Sequence, residues 1–187
     1  MKKYQIIYAD PPWKYNTSQH NGAGGTSTGG AHTHYQVMED IEICKLPIKD
    51  LADKNCLLFM WATGPKLDIA FDVGKSWGFK YCTIGFIWDK KRDNPGAYTM
   101  SRCELVLIFK KGKIPLPRGS RNIKQLVSIH RDKHSSKPPQ VRKAIVELCG
   151  DKPRIELFTR KPHKLFEDES FDGWDVWGNE VKSDIEL

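Results

Sequence analysis

The sequence is poor in the features that mark exported, membrane-spanning or cross-linked chains. Its five cysteines (44, 56, 82, 103 and 149) are odd in number and form no CxxC pair, which argues for reduced thiols rather than a disulfide framework. No apolar run nears the ~20 residues of a spanning helix, and the mean hydropathy is −0.55. The opening MKKYQIIYAD reaches a turn motif before a signal peptide's apolar region could be completed, so a cytoplasmic chain is expected. Internal repeats are missing. Charge of one sign is only mildly in excess, with 30 Lys+Arg against 23 Asp+Glu for a formal +7. That balance suits an acidic partner such as nucleic acid without naming one. His32 and His34 have no neighbouring Cys or Asp set, so no metal site is expected.

What is present reads as one α/β domain over residues 1–187. Tyr4 to Ala9 is an apolar run halted by Asp10-Pro11-Pro12-Trp13, because proline cannot donate to a strand ladder. Residues 16–34 are polar and glycine-rich, and a loop of that length in a compact domain usually carries function or is disordered. Glu39 to Leu51 reads as a helical turn, an interruption at Pro47 and a second short helix. Cys56 to Trp61 is a buried-type strand, and Lys66 to Trp77 has helical spacing up to Gly78. Tyr81–Trp88 and Cys103–Phe109 read as antiparallel strands joined by a long loop, and Gln125–Ile129 is strand-like. Pro138-Pro139 opens a helix that Gly150 closes; RIELF and WDVW are short strands, and residues 181–187 are a charged tail expected to fray. Strands alternating with helices predict a mostly parallel sheet, with the Tyr81–Phe109 pair supplying an antiparallel edge strand.

The DPPW tetrapeptide is the chemical centre of this reading. Ligands in open α/β sheets bind at the carboxyl ends of strands, which is where Asp10 falls. Two prolines fix φ and lack N–H groups, so the carbonyls of Asp10 and Pro11 can point outward as acceptors beside the Asp10 carboxylate. Trp13 would add a flat π-face at its side; the competing reading, a rigid turn with Trp13 packed on the core, is the weaker one, because a strand end seldom needs a carboxylate and a double proline together. An acceptor-only site beside an aromatic ring suits a planar heterocycle bearing an –NH2 group, with stacking worth about 1–3 kcal/mol. Glu104, inside an apolar strand, must face a cleft or pair with a base such as Arg102, since an unpaired buried carboxylate costs several kcal/mol.

With these residues in view, the chain resembles the DPPW-type N6-adenine methyltransferases from IIYADPPW to GWDVWGNE. The resemblance implies a Rossmann-like, S-adenosylmethionine-dependent methyltransferase sheet in permuted order, catalytic strand first and cofactor strand last. Asp10, Pro11, Pro12 and Trp13 would be catalytic. Tyr35 after the active-site loop, Trp61 in WATG and Glu104 in CELV would line the target-base pocket. Lys137 in SSKP, alone no more than a surface lysine, would bind the cofactor's carboxylate. Arg160, His163 and Asn179 would hold its ribose, with Phe158 and Glu180 near its adenine. Lys164 departs from relatives with an amide there. Trp174 and Trp177 read as packing residues, and the cysteines as buried filler.

The partner implied is nucleic acid, DNA favoured over RNA, with a homodimer or partner subunit allowed. A non-catalytic nucleic-acid-binding subunit is the competing reading, and an RNA adenosine enzyme another. Loop 16–34 would close over a flipped base, and the basic residues between Lys90 and Arg121 (90, 91, 92, 110, 111, 113, 118, 121) would follow its phosphates beside the cleft.

Overall fold

β1, Tyr4–Ala9, sends Tyr4, Ile7 and Ala9 into one hydrophobic cluster and Ile6 and Tyr8 into another. Burial on both faces is the condition of a central parallel strand, and Pro11-Pro12 ends it. The computed structural model describes residues 2–15, 37–96, 98–114, 119–130, 137–160 and 171–187. The loop 16–34, Tyr35 and His163 lie outside these residues.

Beyond β1 come α1 (Asp40–Lys45) and α2 (Ile48–Leu51), separated by Leu46-Pro47 as the proline demands. A reciprocal capping box between Glu39 and Glu42 starts α1. β2 (Ala52–Ala62) leads through a 3-10 turn, Gly64–Lys66, to α3 (Leu67–Ser76). Then follow β3 (Lys80–Asn94), β4 (Ser101–Lys111), β5 (Leu126–Ser128), α4 (Pro139–Cys149), β6 (Arg154–Leu157) and β7 (Trp174–Trp177).

The strands form one seven-stranded sheet in the order β5-β3-β4-β2-β1-β6-β7. β1 runs parallel to β2 and β6, β6 parallel to β7, and β3 parallel to β5. β4 alone is antiparallel to its neighbours β2 and β3. The mostly parallel Rossmann-like sheet is therefore as expected, but the antiparallel strand is interior. β5 adds to the outer side of β3, and β2 takes the other side of β4. The two short strands expected at RIELF and WDVW are β6 and β7, which pair with each other.

Ile43 of α1, Ile48 and Leu51 of α2, and Ala70 and Val73 of α3 fill one face of the sheet. On α4, Val141, Ile145 and Cys149 recur at helical spacing and cover the other face, against Phe59, Trp61, Phe86 and Trp88. Each such side chain contributes roughly 1.5–3 kcal/mol through burial.

Residues 181–187, the charged tail, make specific contacts: the Asp184 N–H donates to the Val176 carbonyl (2.9 Å) and its carboxylate accepts from the Val176 N–H (2.8 Å). Ile185 and Leu187 pack against the core, so the tail closes the open edge of β7 with both hydrogen bonds and apolar contacts. Cys56 and Cys149 are buried filler, but Cys82 and Cys103, near the starts of β3 and β4, are exposed. No helix among the described residues is long and apolar enough to cross a membrane.

Candidate active site

Asp10 stands just past β1, level with the end of β2 and beside β6, at the carboxyl end of the parallel strands. It is shared by two environments. On one side is a cleft of about 260 Å³, near the roughly 300 Å³ at which small-molecule sites begin. Asp10, Pro12, Met38, Phe158, Arg160 and Asn179 are among its walls, together with Thr159, Trp177, Gly178 and Glu180.

The fold builds this cleft from the ends of β6 and β7. Thr159 N–H donates to the Trp177 carbonyl at 2.9 Å, and the Thr159 hydroxyl donates to the Glu156 carbonyl at 3.0 Å. Phe158 adopts φ 62° and packs edge-on to Trp177, 5.3 Å between ring centroids. Opposite Thr159 lies Gly178, where a Cβ would come within 2.2 Å of the Thr159 carbonyl oxygen. Only glycine lets the two backbones approach this closely.

On its other side Asp10 meets a largely buried chain of alternating charge, its side chains 8–18% exposed. Lys137 Nζ lies 3.0 Å from Asp10 Oδ1 and 3.1 Å from Glu104 Oε2, and Glu104 Oε1 lies 3.2 Å from Lys90 Nζ. Burial opposes the charge on Lys137, but the carboxylates of Asp10 and Glu104 outweigh it and hold its pKa above the usual lysine value. Burial raises the Glu104 pKa as well, but Lys137 and Lys90 together hold it below the ordinary carboxylate value. The indole of Trp61 lies under Lys137, 5.2 Å from ring centroid to Nζ.

Several expected roles change. Trp13 is 4% exposed, and its Nε1–H donates to the Trp61 carbonyl at 3.3 Å. Freeing that ring would forfeit about as much burial energy as a stacked base returns, so in this structure Trp13 acts as a strut that fixes the DPP turn. Trp61 is likewise buried at 1%, its Nε1–H donating to the Tyr8 hydroxyl at 2.5 Å and its ring lying under Lys137. Of the two carbonyls expected to point outward, those of Asp10 and Pro11, that of Pro11 accepts from Trp13 N–H at 2.8 Å. The neighbouring Pro12 carbonyl accepts from Met38 N–H at 3.1 Å. Lys137 arrives at Asp10 and not among the cleft walls. Glu104 pairs with lysines, while Arg102 turns to Asp89 at 2.6 Å. Trp177, read as packing, lines the cleft.

The basic stretch is also divided by the fold. Lys90 is buried on Glu104. Lys110 and Lys111 pair across from Lys80 and Cys56, roughly 15 Å down β4 from the level of Asp10 and towards the entry end of the parallel strands. Lys111 Nζ donates there to the carbonyls of Lys49 (3.0 Å) and Ala52 (3.3 Å). These lysines do not flank the cleft.

Sequence reasoning missed Met38, Thr159 and Tyr15. Tyr15 shares a 2.8 Å hydrogen bond with Thr63, and burial pushes its pKa up to about 12. Met38 and Thr159 carry no motif of their own, whereas Tyr15 follows DPPW by two residues and could have been singled out.

A mostly parallel sheet with one inverted strand, a turn acid at the end of its central strand and an aromatic cleft beside that acid define a Rossmann-like methyltransferase. The family model for MT-A70 matches residues 4–180. The chain is 42% identical over 191 residues to the Type II methyltransferase M.MunI of Mycoplasma sp, covering 96% of this chain and 78% of that one. It is 26% identical to the human N(6)-adenine-specific methyltransferase METTL4, over 96% of this chain but 38% of the relative. Similarity to the Drosophila melanogaster N(6)-adenosine-methyltransferase MT-A70-like protein is also 26%, over 87% of this chain and 25% of the relative. The chain belongs to the MT-A70 family and is a methyltransferase.

Proposed function

We propose that this chain transfers a methyl group from S-adenosylmethionine to the exocyclic N6 amine of adenine in DNA. The observation that carries the reading is the double placement of Asp10, in the wall of an adenosine-sized cleft and at the head of a largely buried charge chain. The donor set fits the cofactor: Phe158 and Trp177 offer aromatic walls, Asn179 and Arg160 offer donors to a ribose, and Glu180 can accept from an amine or diol. Bound there, S-adenosylmethionine supplies a methyl group made electrophilic by its sulfonium.

The amine of adenine is a weak nucleophile because its lone pair is delocalised into the ring. Asp10 accepts a hydrogen bond from that amine and turns its lone pair towards the methyl group. Lys137, fixed by Glu104, keeps the Asp10 carboxylate from rotating away. The N–C bond would form as the methyl's bond to sulfur breaks, its electron pair leaving with sulfur as a neutral thioether; the amine, now acidic, releases one proton to Asp10 or water. Catalysis on this reading is orientation and electrostatics, without a strong base. A duplex base reaches such a site only when flipped out of the stack.

DNA is favoured because the 42% likeness is to a Type II methyltransferase and spans most of both chains, whereas the likeness to the protein named for adenosine is fainter. The test is incubation with methyl-labelled cofactor and separate DNA and RNA pools. Label in N6-methyladenine of DNA is expected; label confined to RNA, or to neither, overturns the reading.

A second expectation concerns the cleft floor. Gly178→Ala should destabilise the fold by about 1–3 kcal/mol, because the new Cβ meets backbone atoms that cannot move aside. Calorimetry should find cofactor binding weakened at least tenfold, while unaltered affinity would remove this part of the cleft from the cofactor site.

A further inference from the structure

The geometry points to Lys90 as a positioning residue for methyl transfer, acting on Asp10 through Glu104 and Lys137. Its side chain is 8% exposed, and its ammonium lies 3.2 Å from Glu104 Oε1 while Lys137 occupies Oε2 at 3.1 Å. Each charge in the series Asp10, Lys137, Glu104, Lys90 is flanked by its opposite, and the set is neutral. Without Lys90 the whole charge of Glu104 falls on Lys137, drawing that ammonium from Asp10 and loosening the carboxylate that orients the amine.

The foundation of Lys90 is rigid. The adjacent Asp89 accepts from Arg102 Nε and an Arg102 terminal nitrogen (2.6 and 3.3 Å), from the Ser128 hydroxyl (3.1 Å) and from Lys91 N–H (3.0 Å). Among the described residues, the titratable groups around the chain are Asp10 after β1, Glu104 on β4, Lys90 on β3, Lys137 ahead of α4, the Tyr15 phenol beyond the DPPW turn and the Tyr8 phenol on β1. The four charged groups each come from a different segment, so the network ties together the parts of the fold that meet at Asp10.

This inference rests on the proposed reaction, and its test separates the two. Lys90→Met and Lys90→Arg are compared with the unaltered protein for kcat, KM for DNA, and the salt dependence of DNA affinity. Lys90→Gln is a further variant that can still hydrogen-bond Glu104 if the methionine form fails to fold. The expected result is a fall in kcat of at least tenfold for Lys90→Met, with KM within about twofold and an unchanged salt slope. Lys90→Arg should recover most of the activity. A salt slope reduced by about 1 with kcat intact would make Lys90 a phosphate contact and overturn the inference.

A readout independent of turnover is the titration of Glu104 followed by carboxyl 13C NMR. Loss of the Lys90 cation removes one of the two charges that offset burial, so the Glu104 midpoint should move up in Lys90→Met or Lys90→Gln. If the unaltered protein methylates neither pool, the reaction assignment falls while this titration still decides the network. An unmoved Glu104 midpoint overturns the role of Lys90.

Discussion

Replacing Asp10 by asparagine is expected to lower methyl transfer about 10³-fold, the scale on which a preorganised polar group acts in a transition state. Asparagine matches the carboxylate in size and keeps one oxygen for Lys137, so the DPP turn and its Trp13 strut should survive. What is lost is the anionic acceptor that polarises the amine. Calorimetry should show cofactor affinity changed by less than about tenfold, since Phe158, Arg160, Asn179 and Glu180 remain in the cleft wall. Single-turnover transfer of labelled methyl measures the rate, and a thermal melt confirms the fold. Transfer within tenfold of the unaltered protein would remove Asp10 from the reaction.

The largest effect on stability is expected at Arg142. Its Nε donates to Glu156 Oε2 at 2.5 Å, both side chains being under a tenth exposed, and its guanidinium lies 3.9 Å over the Phe171 ring. The pair joins α4 to β6, the strand that continues into Phe158 and Thr159. Removing one partner of a buried pair takes away an interaction that offsets the other's desolvation, at a cost of about 3–5 kcal/mol. For a chain of this length Arg142→Met should therefore lower the melting temperature by roughly 6–20 °C. The double substitution Arg142→Met with Glu156→Leu should recover much of the loss, because two apolar groups need no partner. A single variant that melts within 2 °C of the unaltered protein would show that the pair contributes little.

Most of the strand and helix order was legible because it depends on local pattern. The apolar run before two prolines, the Pro47 break and the Pro-to-Gly limits of α4 each report a backbone constraint carried by a few adjacent residues. Trp13 was read as a base-stacking face because a ring after a strand can serve either as wall or as core. Its partners Met38 and Trp61 are brought in by distant segments, which no local pattern reveals. The basic stretch was misread because the antiparallel course of β4 carries Lys110 and Lys111 away from the level of Lys90. One signal was present and unused: Phe86, Trp88 and Lys90 share the two-residue period of β3 and are all buried. That parity separates Lys90 from the exposed Lys91 and Arg92 beside it.

Phe158 gives the cleft an evolutionary tension. A left-handed backbone at a non-glycine residue costs of order 1–3 kcal/mol, and here φ is 62°. Glycine would relax the turn and make the chain more robust, but it would delete the ring that meets Trp177 and walls the cleft. Selection for thermal endurance alone would erode this position, whereas selection for turnover would keep the strain. The site therefore marks a place where durability and catalysis pull the same residue in opposite directions.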